Sequence, residues 1–219
     1  MSDDAPKVAP VASDRIELLN EQAERYQESL VCNLDALEYM ERRGFDMMDL
    51  ERFRIGLVES PEPGHQRFKG MLAIPYLRLG GVVQFRFRRI PGVTPGDGPK
   101  YLSMEGEPSL MFNTDALHEA NGEIHLAEGE LDCMTLAKCG LHAVGMPGAN
   151  AWKWRHSINL AGFNRIYIWG DPDEAGGAFV NRVLRALRQA RPVRLQADVN
   201  DTFLAGGIEE IMRRAEDAK

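Results

Sequence analysis

The stretch RIYIWGDPDEAGGAFVNRVLRALRQA, residues 165–190, predicts a strand, an acidic turn and a long helix. RIYIW is a short apolar run, and the helix from about Glu174 to Ala190 carries apolar side chains on one stripe and arginines on another. Similar apolar runs, EIHLA (123–127) before it and PVRLQ (192–196) after it, alternate with further helical segments. This alternation predicts an α/β domain over residues 122–219, with a parallel sheet covered on both faces.

Acidic side chains follow three of these predicted strands. They are Glu128 and Asp132 after the first, Asp171 and Asp173 after the second, and Asp198 and Asp201 after the third. Parallel α/β sheets place their ligands at the carboxyl ends of the strands, so we expect these carboxylates to face one crevice. Crowded carboxylates repel each other unless a cation lies among them, and Mg²⁺ or Mn²⁺ prefers such oxygen ligands. The pattern therefore predicts a divalent-metal site suited to phosphoryl chemistry.

Each acidic motif taken alone has a simpler interpretation. A carboxylate at the start of a helix can accept hydrogen bonds from free backbone N–H groups, so Asp171 or Asp173 could cap the helix near Glu174, and Asp201 the last helix. Capping accounts for one acid per helix, but not for paired acids at three successive strand ends. We therefore favour the metal site.

Composition excludes several other classes of protein. Of the 219 residues, 44% are hydrophobic and 27% are charged, and no apolar run approaches the roughly 18 residues that span a bilayer. The acidic, proline-containing start has no features of a secretory signal, so we expect a soluble protein of the cytoplasm. The three cysteines include no CxxC pair, which excludes a disulfide framework and a zinc ribbon.

The basic charge is concentrated in one segment. Residues 1–64 carry 7 basic and 15 acidic groups, whereas residues 65–101 carry 7 basic groups against Asp97 alone. Before the basic segment we expect a disordered tail over residues 1–13 and a helical region from Asp14 to about Arg54. A basic segment in a chain of net charge −7 indicates an anionic partner such as nucleic acid.

Two strands are predicted within the basic segment, MLAIPYL (71–77) and GVVQFRFRR (81–89), joined by a hairpin turn at Gly80-Gly81. Alternation along the second strand predicts two faces, one with Val83, Phe85 and Phe87, the other with Gln84, Arg86 and Arg88. The basic face could bind phosphates, or its charges could protect an edge strand from aggregation. We favour phosphate binding because several cations share the face. This mixed α/β part is expected to span residues 14–121.

Several motifs carry a resemblance to a known family. Three of them, EGELD (128–132), GDPDEAG (170–176) and ADVNDTF (197–203), look like the signature segments of the TOPRIM domain of primases, topoisomerases and related nucleases. The likeness is closest to bacterial and phage primases of the DnaG type, because further segments are similar to that family in the same order: YMERRGFDMMDLERFRIGLV (39–58), RFKGMLAIPY (67–76), GGVVQFRFR (80–88) and PKYL (99–102). The resemblance implies a Rossmann-like TOPRIM domain preceded by a basic, mixed α/β subdomain.

The resemblance also implies roles for individual residues. The catalytic residues would be Glu128, Asp132, Asp171 and Asp173. The metal ligands would be Glu128, Asp171, Asp173, Asp198 and Asp201. The residues that hold template, primer or nucleotide phosphates would be Arg67, Lys69, Arg88 and Lys100, to which Arg86 is added from its place on the same strand face.

A primase catalytic core is the function that the resemblance implies: Mg²⁺- or Mn²⁺-dependent synthesis of short RNA primers on single-stranded DNA during replication. Its partners would be the DNA template, ribonucleoside triphosphates, a replicative helicase and a separate zinc-module protein, with no membrane. A phage or mobile-element origin would place it in the host cytoplasm. Two alternatives use the same features: a TOPRIM nuclease or nickase that activates water, and a non-catalytic accessory that only holds DNA.

Overall fold

The computed structural model describes residues 13–79 and 81–219. The expected tail at residues 1–13 lies outside this range except for Ser13, which begins the first helix. The helices are α1 (Ser13–Val31), α2 (Leu34–Arg42), α3 (Met47–Arg52), α4 (Ala116–Glu119), α5 (Glu130–Lys138), α6 (Trp154–Leu160), α7 (Glu174–Ala186) and α8 (Val199–Asp217). The strands are β1 (Gly56–Leu57), β2 (Met71–Arg78), β3 (Gly81–Arg89), β4 (Tyr101–Ser103), β5 (Glu123–Ala127), β6 (Ala143–Gly145), β7 (Arg165–Trp169) and β8 (Ala190–Pro192).

The helical region at the start of the chain consists of α1, α2 and α3. Asn33 caps α2 by accepting a hydrogen bond from the backbone of Ala36. Asp46 and Asp49 form a reciprocal capping box at the start of α3. The prediction of helices between Asp14 and Arg54 is confirmed.

The first sheet is antiparallel, with strand order β1-β2-β3-β4. The predicted hairpin is confirmed, because Arg78 pairs with Gly81 across it, while Gly80 lies outside the described residues. The predicted faces of β3 are partly wrong. A bulge shifts the register opposite Tyr76 and Leu77, so Val82 packs with Phe85 and Phe87 while Val83 lies on the other face.

The second sheet is parallel, with strand order β6-β5-β7-β8. The predicted strand EIHLA is confirmed as β5. The predicted boundary near Ala190 is wrong: α7 ends at Ala186, and the last strand is β8 instead of PVRLQ. Pairing of Ala190 with Ile166 requires the chain to leave the helix several residues earlier. β8 pairs with β7 alone, which lets Pro192 lie in it without losing a ladder hydrogen bond.

The two sheets share one hydrophobic cluster. Tyr76 and Ile74 of the antiparallel sheet, Trp169 and Tyr167 of the parallel sheet and Leu131 of α5 all belong to it. The α/β fold class, a parallel sheet preceded by a mixed α/β part, is confirmed, while the division at residue 121 stays a prediction. Within the described residues, none of the helices combines the length and the apolarity that crossing a bilayer would require.

Candidate active site

One pocket lies at the carboxyl ends of the parallel strands. The chain passes from β5 to β6 on one side of the sheet and then crosses back to β7 on the other side of β5. The direction of the connections therefore reverses between β5 and β7, and α/β sheets bind ligands at such a point. The antiparallel sheet supplies the opposite wall. The charged or polar residues that line the pocket are Arg43, Arg86, Arg88, Lys100, Tyr101, Glu128, Glu130, Asp132, Asp171 and Asp198.

Hydrogen bonds connect the three acidic motifs. The backbone N–H of Asp171 donates to Glu128 Oε2 at 3.2 Å, which joins the second motif to the first. The backbone N–H of Asn200 donates to Asp132 Oδ1 at 3.3 Å, which joins the third motif to the first. Three separate stretches of the chain therefore meet at the pocket, as the strand pattern predicted.

Two of the acids also cap helices. Asp173 Oδ1 accepts from the backbone of Gly176 at 2.8 Å, and Asp198 Oδ1 accepts from the backbone of Asp201 at 2.7 Å. The capping interpretation is confirmed for Asp173, whereas the cap of the last helix is Asp198 and not Asp201. Gly176 permits the tight turn at Asp171, because a Cβ on Gly176 would lie 2.1 Å from the Asp171 carbonyl oxygen.

The carboxylates of the pocket raise one another's pKa. Burial, together with the charges of Asp171 and Asp198, raises the pKa of Asp132 to about 7. Burial and the charges of Asp198 and Asp173 raise the pKa of Asp171. Burial and the charges of Asp171 and Asp173 raise the pKa of Glu128. A cation in the pocket would relieve this repulsion.

These shifts predict a pH-dependent stability of the metal-free protein. An Asp in an unfolded chain has a pKa of about 3.9, so the folded state binds the Asp132 proton more tightly. The stabilisation from this proton is present at low pH and is lost as the pH rises to about 7. We expect the free energy of unfolding in EDTA, from urea titrations, to fall by on the order of 2 kcal/mol between pH 5 and pH 8.

Two variants test the origin of this loss. Asp132→Asn should remove most of the pH dependence and should be more stable than the natural protein at pH 8. Asp97→Asn replaces an exposed acid outside the pocket and should leave the dependence unchanged. An identical pH profile for Asp132→Asn and the natural protein would contradict the assignment.

The residues of the pocket fit a divalent cation. Asp171 Oδ1 is buried and has no hydrogen-bond partner among the residues that the structure describes. No three His, Cys, Asp or Glu side chains within residues 13–79 and 81–219 already form a metal cage. A pocket with a free carboxylate oxygen but without a complete protein cage is compatible with Mg²⁺. This ion commonly takes one or two carboxylates and completes its shell with waters and substrate phosphates.

The opposite wall of the pocket is basic. Arg88 of β3 is buried, and its guanidinium donates to the hydroxyls of Tyr39, at 2.8 Å, and Tyr101. Lys100 stands next to Tyr101 at the pocket's edge. Arg43, just after α2, donates to Asn200 Oδ1 at 3.1 Å. This wall holds positive charge opposite the carboxylates.

Arg86 differs from Arg88 because a carboxylate partly neutralises it. Arg86 Nη1 and the Tyr76 hydroxyl each donate to Glu130 Oε1 at 2.6 Å. Glu130 is fully buried, and the Arg86 side chain is mostly buried. The prediction that Arg86 binds phosphate stays a prediction, and its observed partner is Glu130.

The structure does not bring every predicted residue into the pocket. Asp173 and Asp201 are exposed beside it, and Arg67 and Lys69 lie on the surface away from its lining. Our sequence analysis assigned no role to Arg43, Tyr101 or Glu130. Tyr101 lies within the PKYL segment, and Glu130 within EGELD, so the motifs pointed to both. The position of Arg43 depends on Asn200, 157 residues away, and no local pattern indicates it.

Comparison with known proteins identifies the family. No family model matches the chain. The chain is 34% identical over 155 residues to the Gene 57 protein of Mycobacterium phage D29, a match that covers 67% of this chain and 99% of the phage protein. The chain belongs to the Gene 57 protein family.

Solved structures of primases are similar in fold to this chain. The RNA polymerase domain of Mycobacterium tuberculosis primase DnaG in complex with double-stranded DNA is similar with a TM-score of 0.78 and 20% identity, covering 94% of this chain and 81% of that chain. The Aquifex aeolicus primase, with zinc-binding and RNA polymerase domains, gives a TM-score of 0.76 and 23% identity. The match covers 97% of this chain and 62% of that chain. A DnaG primase catalytic domain bound to single-stranded DNA is similar with a TM-score of 0.69 and 20% identity. The match covers 93% of this chain and 78% of that chain. The predicted DnaG-type core is thus confirmed at the level of the fold.

Proposed function

We propose that this protein is a DNA primase that joins ribonucleoside triphosphates into short RNA primers on a single-stranded DNA template, with Mg²⁺ or Mn²⁺ as cofactor. One observation carries the proposal: acidic motifs from three strand ends meet in a pocket whose opposite wall is basic. Nucleotidyl transfer needs both features, because metal ions and cations must together neutralise a triphosphate. The DNA in two relatives of the same fold supports a nucleic-acid substrate.

The acidic side would hold the metal. Glu128, Asp171 and Asp198 are the ligands that we propose, with Asp173 and Asp201 close enough to add charge. When bound, divalent ions at such a site activate the attacking 3′-oxygen and stabilise the leaving pyrophosphate. Glu128 would act either as a metal ligand or as the base that accepts the proton of the 3′-hydroxyl. Asp132 would support the site through Asn200.

The basic side would hold the phosphates. Arg88 is fixed by Tyr39 and Tyr101, so its remaining donors are oriented toward the pocket at little entropic cost. Lys100 would bind the triphosphate from the pocket's edge. Arg67 and Lys69, exposed outside the pocket, would contact the template strand. A replicative helicase and a zinc-module protein are the macromolecular partners that we propose.

A synthesis assay tests the proposal. We expect the purified protein, incubated with single-stranded DNA, Mg²⁺ and labelled ribonucleoside triphosphates, to produce short RNA oligomers that depend on the template and disappear in EDTA. The assay is repeated with a zinc-module protein added. Degradation of the DNA without synthesis would instead indicate the nuclease, and DNA binding without either reaction would indicate the accessory.

A further inference from the structure

A second basic surface lies outside the candidate active site. Residues 175–197 contain five arginines, one at every third position from 182 to 194, and no acidic residue. Arg182 is turned inward, where it donates to the Ala149 carbonyl at 2.6 Å. The other four are exposed and form what we call the arginine ridge: Arg185, Arg188, Arg191 and Arg194.

The fold places the arginine ridge along one border of the parallel sheet. Arg185 lies in the last turn of α7, and Arg188 in the turn that follows. Arg191 lies in β8, the edge strand, and donates to the Arg188 carbonyl at 3.1 Å. Arg194 comes two residues after β8, on the way to Asp198. Since four residues span at most about 14 Å, the ridge approaches the carboxylate pocket.

The arginines of the ridge form no ion pair in the described structure, although Asp217 lines one pocket together with Arg191 and Arg194. Within the described part of the chain, no carboxylate lies within ion-pair distance of the ridge's four guanidinium groups. Four other exposed arginines are paired, Arg25 with Glu62, Arg42 with Glu38, Arg165 with Glu123 and Arg213 with Glu210. Scattered exposed arginines without an ion pair also occur, at positions 52, 67, 78 and 155, but the ridge differs in having four within ten residues. Protection of an edge strand from aggregation would account for Arg191, the ridge arginine that lies in β8. The ridge continues beyond that strand into a helix end and a loop, which edge protection does not explain.

We propose that the arginine ridge binds the phosphates of single-stranded DNA, where the template strand extends beyond the active-site pocket. The proposal rests on the proposed function for the identity of the strand. Four exposed arginines without an ion pair, within ten residues of a protein of net charge −7, concentrate positive charge that can attract a polyanion. Arginine suits this role because its planar group forms paired hydrogen bonds with phosphate. The ridge extends the binding surface past the basic wall of the pocket.

Two variants with the same charge test the proposal. The ridge variant is Arg185→Gln, Arg188→Gln, Arg191→Gln and Arg194→Gln. The control variant is Arg25→Gln, Arg42→Gln, Arg165→Gln and Arg213→Gln, in which every arginine removed had an acidic partner. Each variant loses four positive charges and changes the net charge from −7 to −11. Any difference between them therefore depends on position and not on total charge.

The measurement is the affinity for a fluorescent single-stranded 30-mer, by anisotropy, over a range of salt concentrations. We expect the ridge variant to bind the 30-mer at least about tenfold more weakly at low salt. The slope of log K against log salt concentration should also decrease in magnitude by about 2 to 3, because each phosphate contact contributes about 0.7 to that slope. The control should change the slope by less than about 0.5. The double variant Arg185→Gln, Arg188→Gln, whose side chains make no hydrogen bond in the described structure, should give about half the full effect.

Equal slopes for the ridge and control variants would overturn the proposal, and so would an unchanged affinity for the 30-mer in a ridge variant that melts normally. Primer synthesis on a template too short to reach the ridge distinguishes failure of the ridge proposal from failure of the proposed primase function. We expect the ridge variant to retain that synthesis. Absence of synthesis in the natural protein would instead contradict the proposed function, while the binding difference would still report on the ridge.

Discussion

Asp171→Asn is expected to lower the rate of primer synthesis by at least about 100-fold while leaving the protein folded. Asp171 Oδ1 is buried without a hydrogen-bond partner in the described structure, and its pKa is raised by burial and by the charges of Asp198 and Asp173. Such a carboxylate contributes little to folding, because in the metal-free state it is repelled by its neighbours. Its replacement should therefore affect catalysis and not stability.

A matched control is available in the same turn. Glu174→Gln makes the same acid-to-amide change at an exposed position outside the pocket lining. We expect its rate to stay within about threefold of the natural protein, since Glu174 lies outside the pocket and an exposed substitution of this kind changes stability little. The rates are measured by incorporation of labelled nucleotide at saturating Mg²⁺. Asp171→Asn with normal activity would remove Asp171 from the metal site.

Arg86→Met is expected to reduce the free energy of unfolding by about 3 kcal/mol or more. The substitution leaves Glu130 fully buried, with the Tyr76 hydroxyl as its remaining hydrogen-bond donor in the described structure. A buried carboxylate that loses its ion-pair partner is costly, because its charge is no longer compensated. Urea denaturation at pH 7 measures the change.

A second substitution distinguishes loss of the ion pair from loss of packing. Arg86→Met combined with Glu130→Gln should recover part of the lost stability, because the amide carries no charge and its oxygen can still accept the hydrogen bond of the buried Tyr76 hydroxyl. Arg165→Met breaks an exposed ion pair with Glu123 and should cost less than about 1 kcal/mol. A double variant no more stable than Arg86→Met would show that the unpaired charge is not the cause.

Short apolar runs and turn residues in the sequence were informative. The apolar runs EIHLA and RIYIW and the turn after MLAIPYL predicted β5, β7 and the β2–β3 hairpin correctly. The bulge in β3 was not predictable, because both faces of that strand are buried and the alternation of hydrophobic residues does not specify its register. The end of α7 was missed because Leu187, although still on the helical stripe, is buried after the chain has left the helix.

In the candidate site, too, local patterns were informative, whereas contacts between different elements were not predictable. The acids could be predicted to converge because each follows a strand of one parallel sheet. The partner of Arg86 could not, because the ion pair joins residues 44 positions apart, one in β3 and the other at the start of α5. The buried state of Arg88 was also missed, since an arginine on an alternating strand is normally exposed, and its contacts with Tyr39 of α2 and Tyr101 of β4 involve other elements.

The most direct measurement is an anomalous diffraction experiment on crystals soaked with Mn²⁺ and a non-hydrolysable ribonucleoside triphosphate. We expect a Mn²⁺ peak in the pocket between Glu128, Asp171 and Asp198, with the triphosphate extending toward Arg88 and Lys100. A pocket without Mn²⁺ at saturating concentration, or Mn²⁺ bound only by acids elsewhere on the protein, would contradict the shared metal site on which the primase proposal depends.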